Sequence, residues 1–456
     1  MNRPNILYIH SHDTGRYIQP YGHAIETPHL QKLAEDGVLF HQNFCINPTC
    51  SPSRAALLSG CYPHENGMTG LAHRGFSLNN YQQHVIHTLR REGYMSVLAG
   101  HQHIATPADK KEAWQVIGYD KCLQEPQYEQ AAAFLDNSPR EPFFLSVGFV
   151  ETHREFPAIS DVPDDPRYCL PPAPLPDTPE TRQDMARFKA SARELDRKMG
   201  IVFDALQRSG LAEHTLVICT TDHGIAFPRM KCNLHDTGTG VMLIMRGPPG
   251  FAGGKVIDAM TSHLDIFPTI CDLLDIEPPD WLRGKSLLPL IRGDVDELHN
   301  ELFFEVNYHA AYEPMRAVRT KRWKYIKRYD GRTKPVLPNC DDGESKTFWL
   351  EHGWRKEPVQ EETLFDLVFD PNEAANLAKD TRHQRILEDM RGRLACWMRA
   401  TNDPLLSGNV HPPAAAVVND PDGLSPKERT QPAQPATAPY SEPAARSPQR
   451  ERGVSP

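Results

Sequence analysis

Four short polar clusters contain the residue types that bind metals and transfer protons. They are HSHDTG, GHQHI, VETHR and TTDHG, and a basic segment follows the last. Imidazole and carboxylate groups are ligands for divalent ions, and lysine supplies a point charge for an anion. Together the clusters predict a metal and anion site. The candidate residues are His10, His12, Asp13, His101, His103, Glu151, His153, Arg154, Asp222, His223, Lys231 and His235.

Each cluster follows or ends an apolar run that is typical of a strand buried on both faces. The apolar runs cover residues 5–10, 96–100, 142–150, 215–224 and 241–247. Helix signals lie between the runs, such as Pro28 at a first helical position and a long amphipathic segment over 177–210. The alternation predicts an α/β fold, a mostly parallel central sheet flanked by helices. Because the carboxyl ends of parallel strands share one edge, we expect the clusters to meet there.

The pattern of apolar and polar residues changes in the second half of the chain. Residues 315–330 alternate apolar and basic side chains, which is typical of a half-exposed antiparallel strand with a solvated basic face. We predict an α/β catalytic domain over 1–284 and a smaller α+β domain with an antiparallel sheet over 285–402. The Pro- and Ala-rich residues 403–456 are predicted to be a disordered tail, because they offer little apolar surface to bury.

Composition limits the partners. The 456 residues carry a formal net charge of -9, which does not favour nucleic-acid binding. Ten cysteines without a CxxC pair argue against a zinc ribbon or a disulfide framework. No apolar run approaches the ~18 residues of a membrane span, so no membrane partner is expected. The start MNRPNILYIH predicts a cytoplasmic protein, unless a start site further upstream adds a signal peptide.

The stretch CSPSRAALLSG, from Cys50 to Gly60, follows the pattern CxPSRxxxLxxG at every specified position. On this motif the chain resembles the sulfatase family of the alkaline phosphatase superfamily, and the resemblance extends over about residues 4–400. It includes TPHLQKLAEDGVLF, TDHG and LFDLVFDPNEAANLA. HENGMTGL and DHGIAFPRMK are closest to the sulfamidase, or heparan N-sulfatase, branch.

The resemblance implies a hydrolase that removes sulfate from an ester or sulfamate, most simply on a small sulfated sugar. It implies that a maturation enzyme reads Pro52 and Arg54 and oxidises Cys50 to formylglycine, and that one divalent ion, calcium in the family, is bound. The implied metal ligands are His12, Asp13, Cys50, Asp222 and His223. The implied catalytic residues are Cys50, Arg54 on the hydrate, His103 as base, His153 as acid and Lys231 on sulfate. The implied substrate-binding residues are His101, Lys231 and His235.

Two positions depart from the family pattern and leave alternatives open. His12 replaces the first of two adjacent aspartates, which weakens the case for calcium and leaves manganese or zinc as alternatives. His101 stands where the family tends to have lysine. A phosphonate or phosphate ester hydrolase of the same superfamily is one alternative. A catalytically silent relative that binds sulfated carbohydrate is another.

Several residues have simpler interpretations. Cys219 and Cys271 lie in apolar runs and are predicted to fill the core. His41, His84 and His87 belong to no motif and are predicted to be surface or capping residues. Glu151 and Arg154 could form a salt bridge with each other or contribute to specificity.

Overall fold

The computed structural model describes residues 3–248 and 250–434. The strands are β1 (Asn5–Ser11), β2 (Val38–Phe44), β3 (Met95–Gly100), β4 (Lys121–Leu123), β5 (Phe143–Gly148), β6 (Thr215–Thr221), β7 (Leu243–Arg246), β8 (Lys255–Ser262), β9 (Leu302–Tyr308), β10 (Tyr312–Arg319), β11 (Trp323–Arg328), β12 (Glu362–Asp366), β13 (Val417–Asn419) and β14 (Thr430–Pro432). The α-helices are α1 (Pro28–Asp36), α2 (Cys50–Ser59), α3 (Pro63–Asn66), α4 (Val85–Arg91), α5 (Ala113–Ile117), α6 (Gln127–Asp136), α7 (Pro179–Arg208), α8 (Asp236–Thr239), α9 (Ile266–Leu274), α10 (Leu288–Arg292), α11 (Glu344–Glu351) and α12 (Gln384–Ala400).

An eight-stranded sheet forms the centre of the fold, in the order β4-β3-β5-β1-β6-β7-β2-β8. Its strands run parallel except β7, which is antiparallel to both β6 and β2. Every residue of β1, β5 and β6 is buried, as continuous apolar runs require when both faces are covered. The predicted α/β class with a mostly parallel sheet is therefore confirmed.

Helices cover the two faces of this sheet. Side chains of β1 alternate between two cores: Ile6 and Tyr8 pack on the face covered by α2, α4 and α9. Leu7 and Ile9 pack on the opposite face, which α1, α6 and α7 cover. Within residues 3–248 and 250–434, the structure contains no helix with both the length and the apolar character needed to cross a membrane.

A second, antiparallel sheet has the order β12-β11-β10-β9. The antiparallel prediction for 315–330 is confirmed, but the segment forms the hairpin β10–β11 rather than one strand. The predicted solvated basic face holds for Lys321 and Arg322, which are exposed, but not for Arg316 and Lys324, which are fully buried. Each charge has an acidic partner: Arg316 binds Asp403, and Lys324 binds Asp236 at 2.8 Å. Paired charges can be buried where isolated ones cannot.

The predicted disordered tail begins too early in the chain, because residues 403–434 are ordered and carry β13 and β14. Leu405 and Val410 are buried, and the hydroxyl of Tyr308 donates to the carbonyl of Val410 at 2.6 Å. A few such contacts offset the conformational entropy that residues 403–434 lose when they become ordered. The composition of this segment alone predicted that the entropy loss would be the larger effect. Residues 435–456 lie outside the described residues, and the boundary predicted at 284/285 stays a prediction.

The ion pair between Arg316 and Asp403 anchors residues 403–434, and its removal gives a testable prediction about stability. Arg316 donates through Nε and Nη2 to the two carboxylate oxygens of Asp403, at 2.5 and 3.0 Å, and both side chains are buried. Asp403→Asn leaves the guanidinium charge buried without its main partner. We expect a loss of about 3–5 kcal/mol in the free energy of unfolding, measured by chemical denaturation. Asp389→Asn, which removes an exposed partner of Arg393, is the control and should change stability by less than about 1 kcal/mol. Equal effects of the two variants would contradict the assignment.

A buried histidine gives a pH prediction. His84 is the N-cap of α4, as predicted for a capping residue, and its Nδ1 accepts from the backbone N–H of Ile86 at 3.2 Å. Burial lowers its pKa to about 3. Because the unfolded chain then binds more protons, the stability that neutral His84 contributes is present above pH ~6.5 and falls as the pH drops toward 3.

Between pH 8 and pH 5 this single group should account for about 2 kcal/mol of lost stability. His84→Asn keeps an acceptor at the cap and should lose that share of the pH dependence, measured as unfolding midpoints at both values. A variant of the exposed His41, His41→Asn, should keep the parent's dependence. Parallel pH profiles for the parent and His84→Asn would refute the prediction.

Candidate active site

The predicted polar clusters meet at the carboxyl edge of β3, β5, β1 and β6, the four neighbouring central strands. Cys50 reaches the same place as the first residue of α2, and its side chain is buried. A backbone hydrogen bond from Cys232 N–H to the Pro48 carbonyl, 2.8 Å, joins the loop before Cys50 to the loop of Lys231. Five side chains each offer a ligand atom within 4.8 Å of the others: His12, Asp13, Cys50, Asp222 and His223.

The centre of this group is made by Asp13, Asp222, His223 and Cys50. The backbone N–H of Asp13 donates to Asp222 Oδ1 at 2.9 Å. His223 Nε2 lies 3.3 Å from Asp13 Oδ1 and 3.4 Å from Cys50 Sγ. Its Nδ1 is 2.9 Å from the Gly224 carbonyl, which fixes Nδ1 as the donor and leaves Nε2 with its lone pair. That is the orientation of a metal-binding histidine.

The electrostatics of the group favour a bound cation. Burial opposes the charge on Asp13, but Lys231 and the surrounding histidines outweigh it and hold the pKa of this carboxyl well below its usual range. His12, His223 and Arg54 likewise lower the pKa of Asp222 against its burial. Two ionised carboxylates therefore lie side by side in the protein interior.

Lys231 is the central cation of the site. Its Nζ lies 2.8 Å from Asp13 Oδ2 and 2.8 Å from Asp341 Oδ2, and it is buried. Burial disfavours its charge, yet these two carboxylates raise the pKa of Lys231 well above the ordinary value. Asp341 comes from the loop between β11 and α11, so the C-terminal part of the chain completes the site.

Sequence reasoning missed Asp341. Its signal is the pair Asp341–Asp342 followed by Gly343, which also fits an ordinary turn. The neighbour Asp342 accepts a hydrogen bond at 2.5 Å from Ser425, which belongs to the segment that was predicted to be disordered. That segment therefore helps to hold the loop of Asp341.

Arg54 lies inside α2 with its guanidinium directed at the ends of β1 and β6. Its Nη2 donates to the Ser11 carbonyl and to Asp222 Oδ2, both at 2.9 Å. Its Nη1 lies 2.6 Å from His10 Nδ1. The described contacts make Arg54 a partner of Asp222, whereas the resemblance implied a contact with the hydrate.

The ring of His153 packs edge-on against the ring of His12, and the two ring centroids are 4.6 Å apart. Its Nδ1 contacts the Arg154 carbonyl, which leaves Nε2 for another partner. The flanking charges do not pair with each other: Arg154 forms a two-pronged ion pair with Asp184, and Glu151 binds Lys198. The salt-bridge interpretation of Glu151 with Arg154 is therefore wrong.

His101 and His103 pack against His12. Their ring centroids lie 5.1 and 5.7 Å from that of His12 and 5.0 Å from each other. His103 also contacts His73, with its Nε2 3.0 Å from His73 Nδ1. The backbone φ of His103 is +57°, a left-handed conformation that is costly for a residue with a side chain and is common at functional sites.

His235 does not join the group. Its carbonyl accepts from the N–H groups of Gly238 and Thr239, so it begins α8 and its ring turns toward the antiparallel sheet. There it contacts Arg229 at 3.2 Å and lines a separate cavity of about 450 Å³. The geometry thus gives no support to the substrate contact predicted for His235.

The ligand atoms of this group can be compared with the ligand preferences of calcium, manganese and zinc, the three ions that the sequence analysis considered. Two carboxylates, an imidazole and the side chain of residue 50 converge, and Asp13 and Asp222 together bring two negative charges. A divalent ion fits this arrangement. Calcium prefers oxygen ligands only, whereas the imidazole of His223 suits manganese or zinc.

The comparisons with known proteins agree with the motifs. A family profile described as "Sulfatase" matches residues 4–276. A second, described as "N-sulphoglucosamine sulphohydrolase, C-terminal", matches residues 227–339. The chain is 30% identical to the human N-sulphoglucosamine sulphohydrolase, over 88% of this chain and 91% of that protein.

Two solved structures share the fold. The phosphonate monoester hydrolase of Silicibacter pomeroyi aligns with a TM-score of 0.68 and 18% identity, over 90% of this chain and 98% of its own. A protein solved in complex with its substrate D-glucosamine-2-N,6-O-disulfate aligns with a TM-score of 0.66 and 16% identity, over 88% and 98%. The family profile and the human relative lead to one conclusion. The chain belongs to the sulfatase family.

Proposed function

We propose that this protein releases sulfate from an N-sulfated or O-sulfated amino sugar, with residue 50 oxidised to formylglycine and a divalent ion at Asp13, Asp222 and His223. The observation that supports the proposal most directly is the convergence of Cys50, the two carboxylates and Lys231 in one buried group. A small tetrahedral anion bound beside residue 50 would face the start of α2, where the positive end of the helix dipole and the ammonium of Lys231 favour negative charge.

The route of sulfate release argues for an oxygen nucleophile. A sulfate bound to the sulfur of Cys50 would have no easy route of release. As an aldehyde hydrate, residue 50 would supply one hydroxyl for attack on sulfur. The second hydroxyl would lose its proton to Nε2 of His153, free once the leaving group has been protonated, and the C=O bond would re-form as sulfate leaves.

The maturation step is part of the proposal. Pro52 and Arg54 lie in the CSPSR segment, which we infer to be recognised by a formylglycine-generating enzyme. In the folded chain the first residues of α2 are buried, and Ser53 donates to the Asp222 carbonyl at 2.5 Å. Recognition of this segment therefore has to precede folding.

Lys231 and His153 perform the charge and proton steps. The ammonium of Lys231, anchored by Asp13 and Asp341, would hold a sulfuryl oxygen and stabilise charge that grows in the transition state. His153, with Nδ1–H engaged by a backbone carbonyl, would act as the acid when its ring is protonated on both nitrogens, giving the Nε2 proton to the leaving nitrogen or oxygen. The bound divalent ion would neutralise negative charge on the sulfuryl oxygens. Arg54 positions Asp222 for that ion.

The amino-sugar substrate is inferred from two relatives. The human relative is an N-sulphoglucosamine sulphohydrolase and matches 88% of this chain. The structural neighbour solved with a glucosamine disulfate shares the fold. Glucosamine N-sulfate is therefore the first substrate to test.

The test uses full-length protein produced together with a formylglycine-generating enzyme. It is assayed separately on glucosamine N-sulfate, glucosamine 6-O-sulfate and a phenylphosphonate monoester, with Mn²⁺ supplied. We expect sulfate release from an amino-sugar sulfate to exceed phosphonate hydrolysis in kcat/KM. Hydrolysis of the phosphonate alone would favour the phosphonate hydrolase alternative. Binding of the sulfated sugar without any turnover would favour the silent relative.

A further inference from the structure

A second group of three imidazoles adjoins the first site. His12, His101 and His103 each offer a ring nitrogen within 4.8 Å of those of the other two. They come from the ends of β1 and β3, which the sheet holds two positions apart with β5 between them. Such a set has nitrogen donors only, so it differs in chemistry from the carboxylate-rich group beside it.

The hydrogen bonds of these rings leave one nitrogen of each available. His12 Nδ1 faces carboxylates, 2.7 Å from Asp13 Oδ1 and 3.2 Å from Asp222 Oδ2, so Nε2 remains. His103 Nε2 contacts His73, and its buried Nδ1 has no hydrogen-bond partner among the described residues. Nε2 of His101 is also buried without a partner in that part of the chain. A carboxylate on one ring nitrogen and a free lone pair on the other is the usual arrangement of a metal-binding histidine.

The spacing of the rings suits one tetrahedral ion. A metal–nitrogen distance of about 2.0–2.1 Å, extended to the ring centre, places the centroids of imidazoles on a tetrahedral ion about 5 Å apart. The three observed centroid separations are 5.1, 5.7 and 5.0 Å. Small rotations of the side chains would bring the three nitrogens to a common centre.

We propose that His12, His101 and His103 bind a second divalent ion of borderline softness, Zn²⁺ being the best fit, next to the Asp13, Asp222 and His223 site. Three imidazoles leave a fourth tetrahedral position open to water or substrate. Calcium is excluded from this site by its preference for oxygen. This assignment replaces the base role predicted for His103 and the substrate contact predicted for His101, and it rests on the proposed function only for the first ion at Asp13, Asp222 and His223.

Metal counting tests the site independently of activity. The full-length protein is stripped with a chelator, equilibrated with Zn²⁺, freed of excess and measured by inductively coupled plasma mass spectrometry. We expect two ions per chain for the parent and one for His101→Gln, which removes the lone pair of one ligand. His41→Gln, an exposed histidine, is the matched control and should keep two. Circular dichroism melts of the stripped proteins establish that each variant folds.

X-ray absorption at the zinc edge provides a second measurement. The average number of imidazoles per zinc should fall in both His101→Gln and His103→Gln relative to the parent. Equal zinc content in the parent and His101→Gln would overturn the proposal, and so would the loss of both ions in a variant that folds, because that result indicates a single shared site. Sulfate release supported by Mn²⁺ alone would leave the proposed function standing in either case.

Discussion

Replacing Cys50 with alanine should lower kcat/KM for sulfate release by roughly 10⁶-fold, because the variant lacks the group from which the nucleophile is made. Cys50 Sγ lies 3.4 Å from His223 Nε2, and the side chain fills a small buried space. Loss of one sulfur atom should cost on the order of 1 kcal/mol of stability. Activity and melting temperature are measured on the same preparation.

Cys61→Ala is the matched control for this prediction. Cys61 follows the same helix, is buried, and directs its thiol to the Ser59 carbonyl away from the site. It should lose little or no activity. If Cys50→Ala retained turnover comparable to Cys61→Ala, residue 50 would not be the nucleophile.

Removing the charge of Lys231 should have the second largest effect. Lys231→Met leaves Asp13 and Asp341 buried without their shared cation, so we expect a loss of about 3–5 kcal/mol in stability of the stripped protein. The loss of the contact with the sulfuryl oxygen should reduce kcat/KM by roughly 10³-fold. Because the Asp13 and Asp341 carboxylates repel each other once the lysine is gone, added divalent ion should recover part of the stability but not the activity.

Two further variants serve as controls for the effect of Lys231→Met. Lys189→Met removes a half-buried lysine that pairs with Asp164 at 2.8 Å, remote from the site, and should leave kcat/KM unchanged. Lys231→Arg keeps the charge with a different shape, so it should fold better than Lys231→Met and still show reduced turnover. Full activity in Lys231→Met would show that the ammonium does not contact the substrate.

Much of the central fold follows from the sequence because its signals are local. The continuous apolar runs of β1 and β6 predict buried strands, and each ends directly in its acidic and histidine ligands. The Thr27–Pro28 start of α1 follows from the restricted φ of proline. Parallel strands then bring Asp13 and Asp222 together without further information.

The features that could not be predicted depend on contacts between distant segments. Asp341 reaches Lys231 across 110 positions of sequence, and an aspartate pair in a turn gives no sign of that contact. The burial of Arg316 depends on Asp403, which lies in a segment whose composition resembles disordered chains. His235 follows the metal motif closely, yet the start of α8 turns its ring away. In each case the partner, rather than the residue itself, decides the outcome.

The chemical state of residue 50 is the direct test of the account. Protein purified from its native host is digested, and the peptide that contains CSPSRAALLSG is analysed by mass spectrometry with and without a carbonyl-reactive hydrazide. We expect an aldehyde at position 50 that reacts with the hydrazide, in a fraction that tracks the specific activity of each preparation. A fully active preparation in which residue 50 is an unmodified thiol throughout would contradict the account.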